Sequence, residues 1–321
     1  MTKTILIALK PGALTQEQVT QINQLDPEAK VVITDSTEEM ETCLDEAEIM
    51  AGSVPPDLLV RAKKLRWYQH WGAGIDWLIQ HEGVVKKDFL LTNTSGIHAI
   101  PISEHILAFM LAFARNFPMS IRHQQQRYWD HQETGQLFEL AGKHVLIIGL
   151  GAIGKQTAHI LSALGMHVAG IRRSPGQPVE GVEYLAGMED LDRILPQADF
   201  VVVTLPLTKD THHIFNSSTF SKMKKSAYFI NIGRGGTVHE ADLVSALQEQ
   251  QIAGAGLDVF ETEPLPADSP LWDMPNVIIT AHNSGISPLY DQRAFAIFID
   301  NLERYLHNQP LRNLVNKELG Y

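Results

Sequence analysis

The chain has 321 residues, 44% of them hydrophobic, which is enough for two domains of ordinary size, each with its own core. Its formal charge of −11, from 37 acidic against 26 basic side chains, speaks against nucleic acid or an anionic membrane as a partner; a small anionic substrate would have to meet positive charge gathered locally. A lone cysteine, Cys43, excludes an internal disulfide and fits a reducing compartment, its apolar neighbourhood reading as a buried thiol.

The first hundred residues alternate strand-like and helix-like segments, with strands expected at 4–9, 31–34, 49–52, 65–69 and 89–92 and helices near 16–25 and from Pro56. That alternation builds an α/β unit on a parallel sheet. The apolar segment 102–114, carried on through Arg122, predicts one long helix starting after Pro101, with Ser103 and Glu104 in its first turn, that joins the first domain to a second. Six further strands, at 145–148, 168–171, 200–204, 227–231, 254–258 and 277–280, then predict a doubly wound parallel sheet. The spacing of Phe295, Ile297, Phe298, Leu302 and Tyr305 predicts a last helix over 292–307 that returns to the first domain. No secretory leader is read at Met1-Thr-Lys-Thr and no apolar run reaches the length of a membrane span, so the expected location is the cytoplasm.

The second series opens on Val145-Leu-Ile-Ile-Gly149-Leu-Gly151-Ala152-Ile153-Gly154. A short apolar run feeding into a glycine triplet is what a buried strand turning into a helix requires. Gly149 permits the tight turn, Gly151 lets the backbone approach a pyrophosphate, and Gly154 lets the helix pack on the strand. Ala152 and Ile153 open that helix, whose free N–H groups and positive end would face phosphates. At the end of the next strand, where an NAD enzyme usually carries a carboxylate for the ribose hydroxyls, the chain has Arg172, Arg173 and Ser174. Guanidinium groups bind phosphate through forked, charge-assisted hydrogen bonds, so the cofactor read here is NADP(H), with NAD(H) as the weaker alternative.

Three polar side chains follow predicted strands further on: Arg234 in Asn231-Ile-Gly-Arg-Gly-Gly, Glu263 in Asp258-Val-Phe-Glu-Thr-Glu-Pro, and His282 in Ile279-Thr-Ala-His-Asn-Ser-Gly. In an open α/β sheet, ligands bind in the crevice beyond the carboxyl ends of the strands, so these residues should converge near the dinucleotide. Reducing a 2-oxo acid needs a hydride donor, a proton donor for the forming alkoxide, and a cation to hold the carboxylate and polarise the carbonyl. A carboxylate beside His282 would keep a proton available on the imidazole, and Arg234 would fix the carbonyl carbon in place. Taken singly, each has a plainer reading: an arginine between glycines that caps a helix, a Glu-Pro that ends a turn, one of 14 histidines on a wet surface. No metal site is expected.

Taken in order, the pieces resemble the D-isomer-specific 2-hydroxyacid dehydrogenases over nearly the whole chain. The strongest parts are residues 145–154, Ala198-Asp-Phe-Val-Val-Val-Thr-Leu-Pro-Leu-Thr, Met223-Lys-Lys-Ser-Ala-Tyr-Phe-Ile-Asn-Ile-Gly-Arg-Gly-Gly and Gly254-Ala-Gly-Leu-Asp-Val-Phe-Glu-Thr-Glu-Pro-Leu-Pro. The resemblance implies that Arg234 binds the substrate carboxylate and carbonyl, that His282 is the acid–base group paired with Glu263, that Asp258 contacts the nicotinamide carboxamide side, and that Leu205 and Pro206 flank the adenosine. His70-Trp-Gly-Ala-Gly-Ile-Asp is similar to the family loop whose backbone N–H groups hold the substrate carboxylate, here those of Ala73 and Gly74. The implied fold is two doubly wound α/β domains: a Rossmann dinucleotide-binding domain, 101–287, inserted in a flavodoxin-like substrate domain, 1–100 and 288–321, with substrate in the cleft.

Some positions depart from the family pattern. His239 stands where an aspartate or asparagine is usual, Ser95 replaces a common proline, and Asn283-Ser284 follow His282 where smaller apolar residues are frequent. The Arg172-Arg173-Ser174 run resembles the NADPH-dependent glyoxylate and hydroxypyruvate reductases of the family, which makes reduction of a small 2-oxo acid to the D-2-hydroxy acid the leading expectation. A 3-phosphoglycerate dehydrogenase would want basic residues near the first-domain loop and a regulatory domain, yet Glu46-Ala-Glu-Ile-Met-Ala-Gly-Ser is acidic to neutral and no regulatory domain is expected here. A dinucleotide-sensing corepressor or scaffold of the same fold would show an interaction tail or a broken catalytic set; Arg234, Glu263 and His282 are all present. The resemblance also implies a homodimer through the long helix from Pro101 and Tyr128-Trp129, with Trp129 reaching the partner's pocket.

Overall fold

The computed structural model describes residues 3–131, 137–173 and 176–318. The chain divides into two compact units, Met1–Ile97 with Ser287–Tyr321, and His98–Ile286.

The first unit is built on five parallel strands: β1 (Thr4–Ala8), β2 (Lys30–Ile33), β3 (Ala47–Gly52), β4 (Trp67–His70) and β5 (Leu90–Thr92). Their spatial order is β2-β1-β3-β4-β5, the flavodoxin-like doubly wound arrangement. A parallel strand with helices on both faces is buried on both sides and so nearly all apolar, and every residue of β1, Thr4 included, is buried. Leu6, Met50, Tyr68 and Leu91 face one core. Ile5, Ile7, Ile49 and Trp67 face another, closed by Phe295, Phe298 and Leu302 of the helix Tyr290–Leu306. The last helix therefore does pack on the first unit, Trp67 stacking on Phe298 at 5.7 Å between ring centroids.

The second unit carries seven parallel strands: β6 (His144–Ile148), β7 (His167–Ile171), β8 (Tyr184–Ala186), β9 (Phe200–Val203), β10 (Tyr228–Asn231), β11 (Gly254–Leu257) and β12 (Val277–Ile279). The order is β12-β11-β10-β9-β6-β7-β8, so chain direction across the sheet reverses between β6 and β9. That is the Rossmann arrangement, and it puts a crevice at the carboxyl ends of those two strands. The strand β8 adds to the six expected. It is three residues long with Tyr184 exposed, and pairing with β7 rather than any apolar run makes it a strand.

The long connecting helix needs correction at both ends. It begins at Ala99, before Pro101, because a residue without an N–H is tolerated in a first turn whose N–H groups have no intrahelical acceptor. Ser103 consequently lies past that turn, buried, its hydroxyl donating to Ile100 O at 2.8 Å. The helix ends at Ala114 instead of running through Arg122. Pro118 has no N–H to offer the Ala114 carbonyl; the chain turns at Asn116, φ 51°, and restarts as Phe117–Gln125, while Ala114 O accepts from Phe138 N at 3.1 Å. Among the described residues, no helix is long and apolar enough to cross a membrane.

Candidate active site

The crevice between β6 and β9 is shaped by glycines with different jobs. Gly149 leaves β6 at φ +104°, and an added Cβ would lie 2.8 Å from Thr204 Oγ1. Its N–H donates to Ile171 O at 2.9 Å and its carbonyl accepts from the Thr204 hydroxyl at 2.5 Å, which fixes the turn to both neighbouring strands. A Cβ on Gly154 would stand 2.0 Å from Gly149 O, so only glycine lets the helix Ala152–Ala163 lie this close to the turn. At Gly151 a Cβ would meet nothing within 4 Å. That open space sits at a helix start with no side-chain cap and no acidic residue in its first turn, an arrangement in which helix N–H groups can meet a phosphate.

Past the end of β7, Arg172 donates through Nη2 to Gln177 O at 2.7 Å, while its Nε is buried without a hydrogen-bond partner among the described residues. Arg173 is exposed, and Ser174 lies outside the described residues. Leu205 and Pro206 follow β9 across the switch point; Pro206 O accepts from Thr211 Oγ1 at 2.7 Å, and Leu205 O lies 2.6 Å from where a Gly233 Cβ would stand. An open glycine at a helix start, an uncommitted guanidinium nitrogen and apolar residues across the switch fit a phosphate-bearing dinucleotide.

The loops after β10, β11 and β12 converge at the same edge. The Arg234 carbonyl accepts from Asn231 Nδ2 (3.1 Å), Thr237 Oγ1 (2.7 Å) and Thr237 N (3.2 Å), which fixes the backbone from which the guanidinium projects. A Cβ on Gly235 would stand 1.8 Å from Phe260 O, so the Arg234 loop lies directly against the loop that carries Glu263. Glu263 accepts from Phe260 N through Oε1 (3.0 Å) and from His282 Nδ1 through Oε2 (2.7 Å). A carboxylate only accepts, so Nδ1 holds a hydrogen and Nε2 is the ring nitrogen left for a substrate. Both side chains are partly open, His282 at 49% and Glu263 at 36% of full exposure, so the pair can be reached.

His282 has φ +49°, in the left-handed region that a non-glycine residue seldom adopts, and Asp258 supplies the brace. Fully buried, it takes three consecutive backbone N–H groups: His282 N on its carbonyl (2.8 Å), Asn283 N on Oδ1 (3.0 Å) and Ser284 N on Oδ2 (3.1 Å). The Thr280 hydroxyl completes the set at 2.5 Å from Oδ1. What the structure assigns to Asp258 is thus support of the histidine loop.

Ala73 and Gly74 belong to the first unit, where three successive carbonyls of their loop are tied down. Trp71 O accepts from Thr94 Oγ1 (2.8 Å) and Tyr290 OH (3.0 Å), Gly72 O from Thr94 N (3.1 Å), and Ala73 O from Asn93 Nδ2 (2.8 Å). In a planar trans peptide the N–H points opposite the preceding C=O, so these bonds turn the Ala73 and Gly74 N–H groups to the other side. Sequence reasoning missed Asn93, Thr94, Asn231, Thr237 and Thr280. Asn93, Thr94, Asn231 and Thr280 are small polar residues at or next to an expected strand end and Thr237 lies further along the loop after one, a faint signal that becomes specific only when their partners are in place. Of the departures from the family pattern, Ser95 donates its N–H to Asn93 Oδ1 at 3.0 Å, a bond a proline lacks, and His239 starts the helix Glu240–Gln248 without a side-chain cap.

The profile of the family described as "D-isomer specific 2-hydroxyacid dehydrogenase, NAD binding domain" matches residues 107–284. Glyoxylate/hydroxypyruvate reductase B of Escherichia fergusonii is 34% identical over 311 residues, covering 94% of this chain and 92% of its own. D-3-phosphoglycerate dehydrogenase of Methanocaldococcus jannaschii is 34% identical over 265 residues, and there the match spans 82% of this chain but only 50% of that protein. Among solved structures, the NADPH-dependent glyoxylate/hydroxypyruvate reductase of Sinorhizobium meliloti in complex with NADP and sulfate superposes with a TM-score of 0.84 at 31% identity, over the full length of both chains. With that profile over more than half of its length and these likenesses across nearly all of it, the chain belongs to the D-isomer-specific 2-hydroxyacid dehydrogenase family.

Proposed function

We propose that the protein reduces a small 2-oxo acid such as glyoxylate or hydroxypyruvate to the D-2-hydroxy acid with NADPH. The observation that carries this reading is the His282–Glu263 pair, 2.7 Å apart, at the same sheet edge as the glycine cradle. When bound, the reduced nicotinamide supplies the hydride to the carbonyl carbon. The Arg234 guanidinium and the Ala73 and Gly74 N–H groups hold the substrate carboxylate, and Arg234 polarises the carbonyl. His282 gives the Nε2 proton to the carbonyl oxygen as it becomes an alkoxide, and Glu263 stabilises the imidazolium before transfer. One hydride and one proton convert the ketone or aldehyde to the alcohol. The run Arg172-Arg173-Ser174 carries two guanidinium groups where a carboxylate for the ribose is usual, which favours the 2′-phosphate of NADPH over the bare ribose of NADH, in agreement with the NADP bound to the Sinorhizobium protein.

The test is loss of reduced-nicotinamide absorbance with NADPH and NADH side by side, across glyoxylate, hydroxypyruvate, pyruvate and a phosphorylated 2-oxo acid. Turnover with NADPH well above NADH on a small unphosphorylated acid is the expected result. The likeness to the Methanocaldococcus enzyme supports a second reading, and preference for the phosphorylated acid would install it. NADPH binding without turnover on any acid would return the protein to a sensing or scaffolding role. A general acid contributes about 10²–10⁴-fold, so His282→Asn should lower kcat by that order. The exposed apolar side chains Leu111 on the helix Ala99–Ala114, Phe117 and Ile121 on the helix Phe117–Gln125, and Trp129 beyond it support a homodimer through this segment. Light scattering that reports a monomer would refute it.

A further inference from the structure

One polar chain in the second unit is not used by the reaction above. His105, in the helix Ala99–Ala114, lies edge-on to Phe109 with ring centroids 4.6 Å apart, and its Nε2 is 3.0 Å from Thr280 Oγ1. The same hydroxyl is 2.5 Å from Asp258 Oδ1. A threonine hydroxyl has one hydrogen to give. Both Asp258 oxygens already accept backbone N–H groups, from Asn283 and Ser284, so the carboxylate is an acceptor here and the Thr280 hydrogen goes to it. The lone pair of Oγ1 must then receive Nε2–H from His105. Burial holds the His105 imidazole below the ordinary histidine range, against the pull of the Asp258 carboxylate, so the ring is neutral near pH 7 with a single N–H, at Nε2.

We propose that His105 is a positioning residue for His282: by donating Nε2–H to Thr280 it commits the Thr280 hydrogen to Asp258, and Asp258 holds the three consecutive N–H groups that keep His282 in its left-handed conformation. This inference rests on the reading of His282 as the acid–base group. Each bond in such a series polarises the next, so the histidine strengthens a contact to Asp258 that it does not itself make. Without the Nε2–H donor, the Thr280 hydroxyl is free to rotate, and the Asp258 carboxylate loses part of what fixes it beneath the left-handed turn at His282. The expected consequence is misplacement of the imidazole with cofactor binding unchanged.

The test uses His105→Leu, which keeps bulk and removes the donor, His105→Gln, whose amide N–H reaches the Nε2 position, and Thr280→Val, which removes the hydroxyl and keeps the shape. Each is assayed for kcat, for KM of the 2-oxo acid and for the NADPH dissociation constant. His105→Leu and Thr280→Val should each lower kcat about tenfold with NADPH binding unchanged. His105→Gln should restore most of the loss, and the double variant His105→Leu/Thr280→Val should be no worse than either single one, because both break the same relay. Wild-type kcat in His105→Leu, no rescue by glutamine, or additive losses overturns the proposal. Should His105→Leu fail to fold, Thr280→Val carries the same prediction with the helix intact. His282→Asn, measured alongside, separates the two levels: wild-type kcat in that variant defeats the acid–base reading and this inference together, whereas an inactive His282→Asn beside a fully active Thr280→Val defeats this inference alone.

Discussion

Gly151 and Gly154 stand three residues apart in one motif, and the structure predicts opposite consequences for the same added methyl group. In Gly154→Ala the Cβ is placed 2.0 Å from Gly149 O, against ordinary contacts of 3.4 Å or more, so helix and turn must separate by more than an ångström. The carbonyl cannot swing aside without losing the Thr204 hydroxyl, 2.5 Å away. Overpacking of this kind costs about 1–3 kcal/mol, and the backbone obstacle argues for the upper end. The better helix propensity of alanine returns about 1 kcal/mol, leaving a net loss of about 2 kcal/mol. For a unit the size of His98–Ile286 that lowers Tm by about 4–8 °C. In Gly151→Ala the methyl meets no protein atom within 4 Å, and φ of −73° suits any residue. The loss of glycine as a cap and the gain from a stiffer unfolded chain are each about 1 kcal/mol or less and of opposite sign, so Tm should stay within about 2 °C. The methyl nevertheless fills the space in front of the helix N–H groups, and NADPH affinity should fall at least about tenfold, equivalent to about 1.4 kcal/mol. Thermal unfolding without cofactor and NADPH titration by calorimetry measure the two effects separately. If Gly151→Ala bound NADPH as tightly as the parent, or unfolded earlier than Gly154→Ala, the assignment of roles within the cradle would be wrong.

Three further predictions concern the rest of the site and its surroundings. Arg172→Ala combined with Arg173→Ala should raise the KM for NADPH at least about tenfold while leaving that for NADH unchanged, since an Arg–phosphate contact is a charge-assisted bond that NADH cannot form; equal losses with both cofactors refute the 2′-phosphate reading. Asn93→Ala removes the donor to Ala73 O and should raise the KM for the 2-oxo acid several-fold, with kcat within about twofold, because one neutral hydrogen bond is worth about 1 kcal/mol; an unchanged KM would detach that carbonyl from substrate binding. Burial, reinforced by the Glu261 charge and opposed by the Glu261 N–H, holds the Glu240 carboxyl above the ordinary carboxylate range. A carboxyl raised in the folded state holds its proton more tightly folded than unfolded, so the stability it contributes is present at low pH and lost as pH rises through its folded value. Glu240→Gln keeps an acceptor for the Glu261 N–H at 3.1 Å and escapes that loss, so its Tm should exceed that of the parent above neutral pH and converge with it in acid; a gap independent of pH contradicts the assignment.

Much of the architecture is written in local pattern. Buried parallel strands read as nearly continuous apolar runs, so β1, β6 and β9 announce themselves, as does the helix whose aromatic stripe closes over Trp67. The glycine triplet is legible for the same reason: each glycine answers a steric demand that no other residue meets, and such demands leave a fixed spacing. Arg234, Glu263 and His282 are visible as polar groups just past strand ends, although their convergence is not.

What the sequence could not determine depends on partners distant along the chain. The strand β8 exists because β7 offers an unpaired edge, and the helix expected to run unbroken to Arg122 breaks where Pro118 withholds an N–H and Phe138 takes up the stranded carbonyl. The bracing of His282 by Asp258, Thr280 and His105 joins three segments spread over more than 170 residues, and no periodicity reports such a network. Burial set the role of Asp258: in sequence it is an aspartate at a strand end, and in the fold it is a closed acceptor for the loop that holds the histidine.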